Sequence, residues 1–343
     1  MGCHGSVAPA GRRTYRDTLT LLRFAAARAR QTAIVAFVVT SLAFVLVHAA
    51  PGDPFATSLD ENSNFAAARA EMRLRYALDL PLWQQYPMML ANFARGEFGT
   101  SFGEARPVSA VLTDVIPDTL LLMVPALLIG VLAGVVVGTW QGAHAGTWRD
   151  RATGAFALSV LSIPEFLLAL IASLVFAVRL RWFPGTGIFS AGAVHASWLD
   201  TVGDYLHHAA LPVSVLALVI GCVVARFQRA AVVDTLNEEF VRTARAKGAA
   251  TRRVLVHHVL RRTGGSLFAV LGLLVPTLVG GAAMVEMVFG WPGAGATLVS
   301  AVGSRDYPLV IALVLVGSIA VCVGSAIADA AAVLANPAIR KEA

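Results

Sequence analysis

Two acids sit inside long apolar runs and are the side chains best placed to do chemistry: Glu165 in SIPEFLLAL and Glu286 in MVEMVFGWPGAG. A carboxylate at membrane depth is costly to ionise. It therefore faces a polar cavity or a partner, or it hydrogen-bonds a neighbouring helix and holds the bundle together. Both readings stand for Glu165. Glu286 lies nearer the outer end of its run, where the structural role fits better, and both acids are carried as candidates for the lining of a translocation path. His207-His208 and His257-His258 fall at the ends of apolar runs. Interfacial or solvated imidazoles are the common use there, and no metal is assigned to them.

Catalytic signatures are hard to find. The chain has two lysines, Lys247 followed by Gly248 and Lys341 followed by Glu342, so the phosphate-cradling pattern GxxxxGKS or GxxxxGKT cannot be written. HExxH and CxxC are missing as well. Cys3, Cys222 and Cys322 are far apart, two of them inside apolar runs where cysteine serves as a small hydrophobe, and no disulfide is expected. The expectation is a non-catalytic chain that binds no cofactor of its own.

Composition says what must position these residues. The 343 residues are 57% hydrophobic and 14% charged, with a mean hydropathy of +0.70, whereas soluble domains carry about 25% charged residues. Apolar runs at 31–48, 117–140, 153–178, 209–225, 264–288 and 308–327 approach or exceed the ~18–20 residues that cross a bilayer. Pro125, Gly130, Gly134 and Gly138 in the second run point to close helix packing or a bend. Between the first two runs, residues 51–115 are polar and mixed, with helical character at 65–78 and 82–93. The arginines at 12, 13, 16, 23, 28 and 30 precede a run too long for a cleavable signal, so residues 1–30 read as a cytoplasmic segment ahead of a retained anchor.

The net charge of +6 lacks the aromatic-rich groove or zinc spacing of a nucleic-acid binder, and it suits the positive-inside rule. Placing the basic loops on one side yields six helices with both termini cytoplasmic. The fold expected is an all-α polytopic membrane protein. Residues 31–343 form its transmembrane domain, and a small external lobe at 51–115 joins helices one and two.

The most polar stretch between spans is the basic loop at 226–263. Its basic residues are Arg226, Arg229, Arg242, Arg245, Lys247, Arg252, Arg253, Arg261 and Arg262, against the acids Asp234, Glu238 and Glu239. Residues 238–247 read as a helix with Glu238 placed to pair with Arg242 at i,i+4. Gly248 is a break or carboxyl cap, and Thr251 stands where it would cap a second helix. Phe240, Val241, Ala244 and Ala246 alternate with the charges, a pattern suited to insertion into a partner's groove.

EEFVRTARAKGAATRRVLVHHVLR resembles the EAA loop of ABC-importer permeases, with Thr243-Ala244-Arg245 at the EAA positions and Gly248 at the family glycine. HAAPGDP, LDLPLWQQY, GEFGTSF, SIPEFLLAL, WFPGTG, ALPV, VEMVFGWPGAG, SRDYPLV and NPAIR are similar to the dipeptide/oligopeptide/nickel branch, and PGDP with the long lobe resembles the first permease of its pair. The likeness runs from Leu21 to Arg340. Two departures are Gly265-Ser266 where Leu-Pro is usual, and Asn336-Pro337-Ala338 where Asp-Pro-Arg is usual.

The resemblance implies a cell-membrane permease subunit for peptides, paired with a second permease, ATPase subunits that hold ATP and Mg²⁺, and an extracytoplasmic binding protein. It also implies that Glu238, Glu239, Arg242, Thr243, Ala244, Arg245 and Gly248 couple to the ATPase. Nickel or another small solute is the alternative cargo. A passive channel or membrane scaffold is the alternative of a different class, and it leaves the basic loop without a partner.

Overall fold

The computed structural model describes residues 11–49, 79–190, 192 and 197–335. The helix expected at 65–78, the PGDP cluster and the tail from residue 336 lie outside them. The regular elements among the described residues are all helices, with one isolated antiparallel bridge, Thr100 to Pro107. The helices are α1 (Gly11–Ala49), α2 (Leu82–Ala94), α3 (Val108–Ala143), α4 (Trp148–Ser162), α5 (Glu165–Ala172), α6 (Trp198–Leu236), α7 (Glu239–Ala246), α8 (Thr251–Arg253), α9 (Leu260–Val288), α10 (Ala294–Gly303) and α11 (Tyr307–Ala335).

Among the described residues, four helices are long and apolar enough to cross a membrane: Ala25–Ala49 within α1, α3, α6, and Tyr307–Ala331 within α11. The α4–α5 pair makes a fifth if the bent pair is one span. Helix α9 covers the run at 264–288 with 29 residues, about 43 Å at 1.5 Å per residue.

The long helices share two ends. At one, Arg28 of α1 pairs with Asp329 of α11, and Arg229 of α6 pairs with Asp150 of α4; α7 lies at this end, here called the knob end. At the other, the His48 ring of α1 stacks near Tyr307 of α11, with centroids 5.2 Å apart. Helix α2 packs there as well, through Tyr86, Met89 and Phe93 against Phe44 and Ile311. This is the lobe end.

Helices α3 and α6 are joined most closely, and glycine is the reason. Gly130, Gly134, Gly138 and Gly142 recur every four residues, so they line one face of α3. A Cβ on Gly134 would come within 2.6 Å of Val224 Cβ, and one on Gly142 within 2.6 Å of Val232 Cγ1. Of the two readings of these glycines, close packing accounts for the stripe.

The third run departs from expectation. It is not one continuous span over 153–178, because the chain bends by 101° between α4 and α5. Pro164 forces Ile163 into extended backbone, φ −90° and ψ 129°, and the helix cannot continue through it. Glu165 is therefore the first residue of a new helix, at the break in the run, rather than a residue inside one continuous helix. After α5 the helix widens into a π-helical segment, Ser173–Arg179.

Helix α6 is also longer than the run at 209–225. It starts at Trp198, where Ser197 Oγ accepts from the Asp200 amide at 3.3 Å, and it continues through Arg226 and Arg229 to Leu236. The segment between the fifth and sixth apolar runs contains a ten-residue apolar helix, α10.

Candidate functional site

The basic loop at 226–263 is three different things in the structure. Residues 226–236 extend α6, and residues from 251 onward belong to a helical rod that runs into α9. The knob proper is α7 with its cap. Residues Arg253, Val254, Val259 and Leu260 all keep right-handed helical backbone. Thr251 to Val288 is thus one unbroken rod, containing a π-helical turn at Val254–Val259 in which the Leu260 amide reaches the Leu255 carbonyl.

Helix α7 ends as its sequence demands. Gly248 has φ +80°, a left-handed conformation that other L-residues adopt only under strain. Its amide donates to Arg245 O at 2.9 Å and the Ala249 amide donates to Ala244 O at 3.1 Å, the paired bonds of a Schellman cap. No heavy atom lies within 4 Å of a Cβ built on Gly248, so the glycine is required by backbone conformation and not by space.

Packing divides the apolar residues of the knob. Val241 is buried and joins Val232, Val254 and Val259, with Leu236, Ala244, Ala249 and Leu255 packed around them. Val241 and Ala244 therefore face their own chain, not a partner's groove. Phe240, at 38% exposure, and Ala246 remain on the outer face with Glu239, Arg242, Thr243 and Arg245. Two details differ from the sequence reading. Glu238 sits at the amino cap of α7, and its carboxylate lies 3.9 Å from Arg262 on the rod rather than on Arg242. Thr251 is the first residue of α8, behind Ala250 at the cap, and it makes no capping bond.

Above the knob lies a polar layer that the sequence reading missed. Arg229 donates to both oxygens of the buried Asp150, Nε to Oδ1 at 2.6 Å and a terminal nitrogen to Oδ2 at 2.8 Å. Gly146 N donates to the same Oδ2 at 2.9 Å. Gln228, 2% exposed, donates to Thr139 Oγ1 of α3 at 3.2 Å and to Thr263 Oγ1 of α9 at 3.0 Å. A buried amide between apolar helices is the local signal that marks it. The Arg229 partner, 79 residues away, has no local signature.

The two acids of the apolar runs are placed far from the knob and differently from each other. Glu165 is half-buried at the head of α5, about 22 Å along α4 from the knob end at 1.5 Å per residue. Glu286 is fully buried near the end of α9. Its Oε1 accepts from Thr119 Oγ1 at 2.8 Å and its Oε2 from the Ala296 amide at 2.8 Å, so the carboxylate sits on the amino end of α10. Thr119 Oγ1 also accepts from the Ala294 amide at 2.7 Å, and Trp291 Nε1 donates to Asp118 O at 2.9 Å. Residues 99–103, GTSFG, carry the GxSxG spacing of hydrolases, but the Ser101 hydroxyl is held by the buried Asp306 and serves that contact. Among the described residues, no three His, Cys, Asp or Glu gather as a metal site would need.

A bundle of long apolar helices with a folded basic knob at one end defines a multi-pass membrane protein. The chain belongs to the family described as binding-protein-dependent transport system inner membrane component, whose pattern matches residues 120–341. It is 33% identical over 302 residues to the oligopeptide transport system permease protein AppB of Bacillus subtilis, covering 88% of this chain and 94% of that one. It is 35% identical over 307 residues to a putative peptide permease of Brucella ovis, covering 88% and 93%. Against the glutathione transport system permease GsiC of Escherichia coli K12 the identity is 33% over 304 residues, covering 89% and 94%. It is a transport component of the cell membrane.

Proposed function

We propose that this chain is a transmembrane permease subunit of an ATP-driven importer for di- and oligopeptides, and that energy enters it at α7. Cargo class follows the relatives, whose names specify peptide, oligopeptide and glutathione, itself a small peptide. In this reading α1, α3, the α4–α5 pair, α6, α9 and α11 are six crossings. The knob end and both termini are cytoplasmic, and the lobe is external. Charge supports that orientation, since Arg28, Arg149, Arg151 and the arginines of α7 and the rod cluster at the knob end.

A second, similar permease completes the path, and an extracytoplasmic binding protein delivers the peptide. Two ATPase subunits, or one fused ATPase, hold ATP and Mg²⁺, so this chain does no catalysis. Family membership in a binding-protein-dependent system argues against a passive channel.

The observation that carries the reading is the build of the knob. Helix α7 is a short, capped, basic helix whose inner face is locked onto two long helices at once. Closure of the ATPase pair displaces α7 through its outer face, with Glu238, Glu239, Arg242, Thr243, Arg245 and Lys247 in or beside the contact. Because Val241 and Ala244 pack on Val232 and Leu236 of α6 and on Val254 of the rod, both helices move with it. Gly248 lets α7 turn back sharply enough to do this. Glu165, at the break within the membrane, is the acid placed to line the path, whereas Glu286 spends both oxygens on holding α10 and forms part of its wall.

A cysteine at Thr243 tests the docking. In the assembled transporter it is expected to cross-link to an ATPase subunit; an ATPase that co-purifies yet never cross-links there contradicts the assignment. Uptake of labelled peptide against Ni²⁺ separates the peptide reading from the nickel one.

A further inference from the structure

We infer that Gln228 and the Asp150–Arg229 pair are positioning residues for energy coupling: they transfer displacement of the knob to α3 and α4, which α7 itself does not touch through its apolar core. The inference rests on the reading of α7 as the point where the ATPase acts. Val241 and Ala244 grip α6 and the foot of the rod, so those two helices follow the knob directly. Helix α3 is different. Its contact with α6 at the knob end is made at Gly138 and Gly142, where Gln228 and Val232 of α6 lie over α3 backbone and α3 offers no side chain in return. The interlocking there is one-sided, with ridges from α6 and none from α3.

The polar bonds supply what the glycines leave out. Gln228 and Arg229 lie one turn before Val232, the residue on which α7 packs, so the same segment of α6 carries the grip and the ties. Gln228 reaches Thr139 on α3 and Thr263 on α9, tying three helices through one amide. Arg229 holds Asp150 with a two-pronged guanidinium–carboxylate pair, a geometry that transmits direction as well as charge. Asp150 lies in the first turn of α4, its side chain 3% exposed. Helix α4 leads from there to the break at Pro164 and to Glu165. Movement of α6 therefore pulls α3 through Gln228 and swings α4, whose far end meets the break before Glu165, through Arg229.

The test uses the complete transporter, with its ATPase and binding protein, reconstituted in vesicles; the readout is peptide delivered per ATP hydrolysed. Gln228→Leu keeps the volume of an apolar bundle and removes both bonds. Arg229→Lys keeps the charge and removes the fork. Each variant is expected to assemble with the ATPase and to hydrolyse ATP, while delivery per ATP falls about five- to tenfold. Combining the two lowers it further, because the ties reach different helices. Asp150→Asn added to Arg229→Lys has little extra effect, because they share one interaction.

Wild-type delivery per ATP in both single variants overturns the inference. So does failure of both to assemble, which would make these residues determinants of folding alone. Failure of the underlying reading looks different: the Gly248→Val variant would then deliver peptide normally. A lowered ratio in Gly248→Val with normal ratios in Gln228→Leu and Arg229→Lys isolates the failure to the polar ties.

Discussion

At the lobe end, Glu286 and Asp306 are buried and bonded inward: Glu286 holds Thr119 and the Ala296 amide, and Asp306 holds Ser101, the Gly103 amide at 3.0 Å and the Leu309 amide at 3.3 Å. At the knob end, Arg242, Arg245, Lys247, Arg252 and Arg253 stand exposed on a small core of valines and alanines. Both regions use charge beside tight turns, to opposite purposes. Buried acids with capped donors fix the lobe-end loops against the bundle, since each donor left bare would carry a desolvation penalty. Exposed cations on a folded platform contribute little to stability, and the proposed docking gives their charge its use. In the proposed mechanism the lobe end stays still and the knob is pushed.

That contrast is open to attack by substitution, beginning where the effect is largest. Glu286→Leu leaves the Thr119 hydroxyl and the Ala296 amide unpaired inside the lobe-end packing, and about 3 kcal/mol of stability is lost. Glu286→Gln, which keeps an acceptor, loses about 1 kcal/mol. Thermal unfolding in detergent reads both, and equal stability of Glu286→Leu and the parent would dissolve the contrast.

Gly138→Leu comes next. Its Cβ would overlap the Ala225 carbonyl, and overpacking of the α3–α6 seam destabilises by about 1–3 kcal/mol. Gly154→Leu, on α4 with no atom within 4 Å of its Cβ, serves as the neutral control. Gly248→Val strains one left-handed residue by about 1–2 kcal/mol, leaving insertion intact while disturbing the knob. Arg245→Glu is the mildest for the fold, within about 0.5 kcal/mol. It is expected to weaken ATPase association, more at low ionic strength than at high, as titrated binding would read.

Much of this architecture is readable from residue order because its determinants are local. Long apolar runs mark the bundle, glycine at every fourth position marks the α3–α6 seam, and Gly248 marks the carboxyl end of α7. Other features are local but hidden by stronger neighbours. Pro164 breaks the third run, yet the apolar residues on both sides read as one span. Ser197-Trp198-Leu199-Asp200 is a capping pattern, but it lies ahead of the apolar run at 209–225, so α6 looks shorter in the sequence than it is. The remaining features are not local. Glu238 turns from Arg242 to Arg262, and Arg229 finds Asp150, because the rod and α4 are brought alongside by packing. The inward direction of Val241 and Ala244 likewise depends on where α6 ends. Periodicity identified an apolar face on α7, but only the tertiary arrangement decides whether self or partner covers it.

The most direct test of the central claim is the number of peptides delivered per ATP by a reconstituted transporter carrying Gly248→Val. With α7 as the point of energy entry, the variant inserts, binds its ATPase subunits and hydrolyses ATP, and delivery per ATP drops to a small fraction of the parent value. Delivery at the parent ratio, with the same subunits present, would contradict the account.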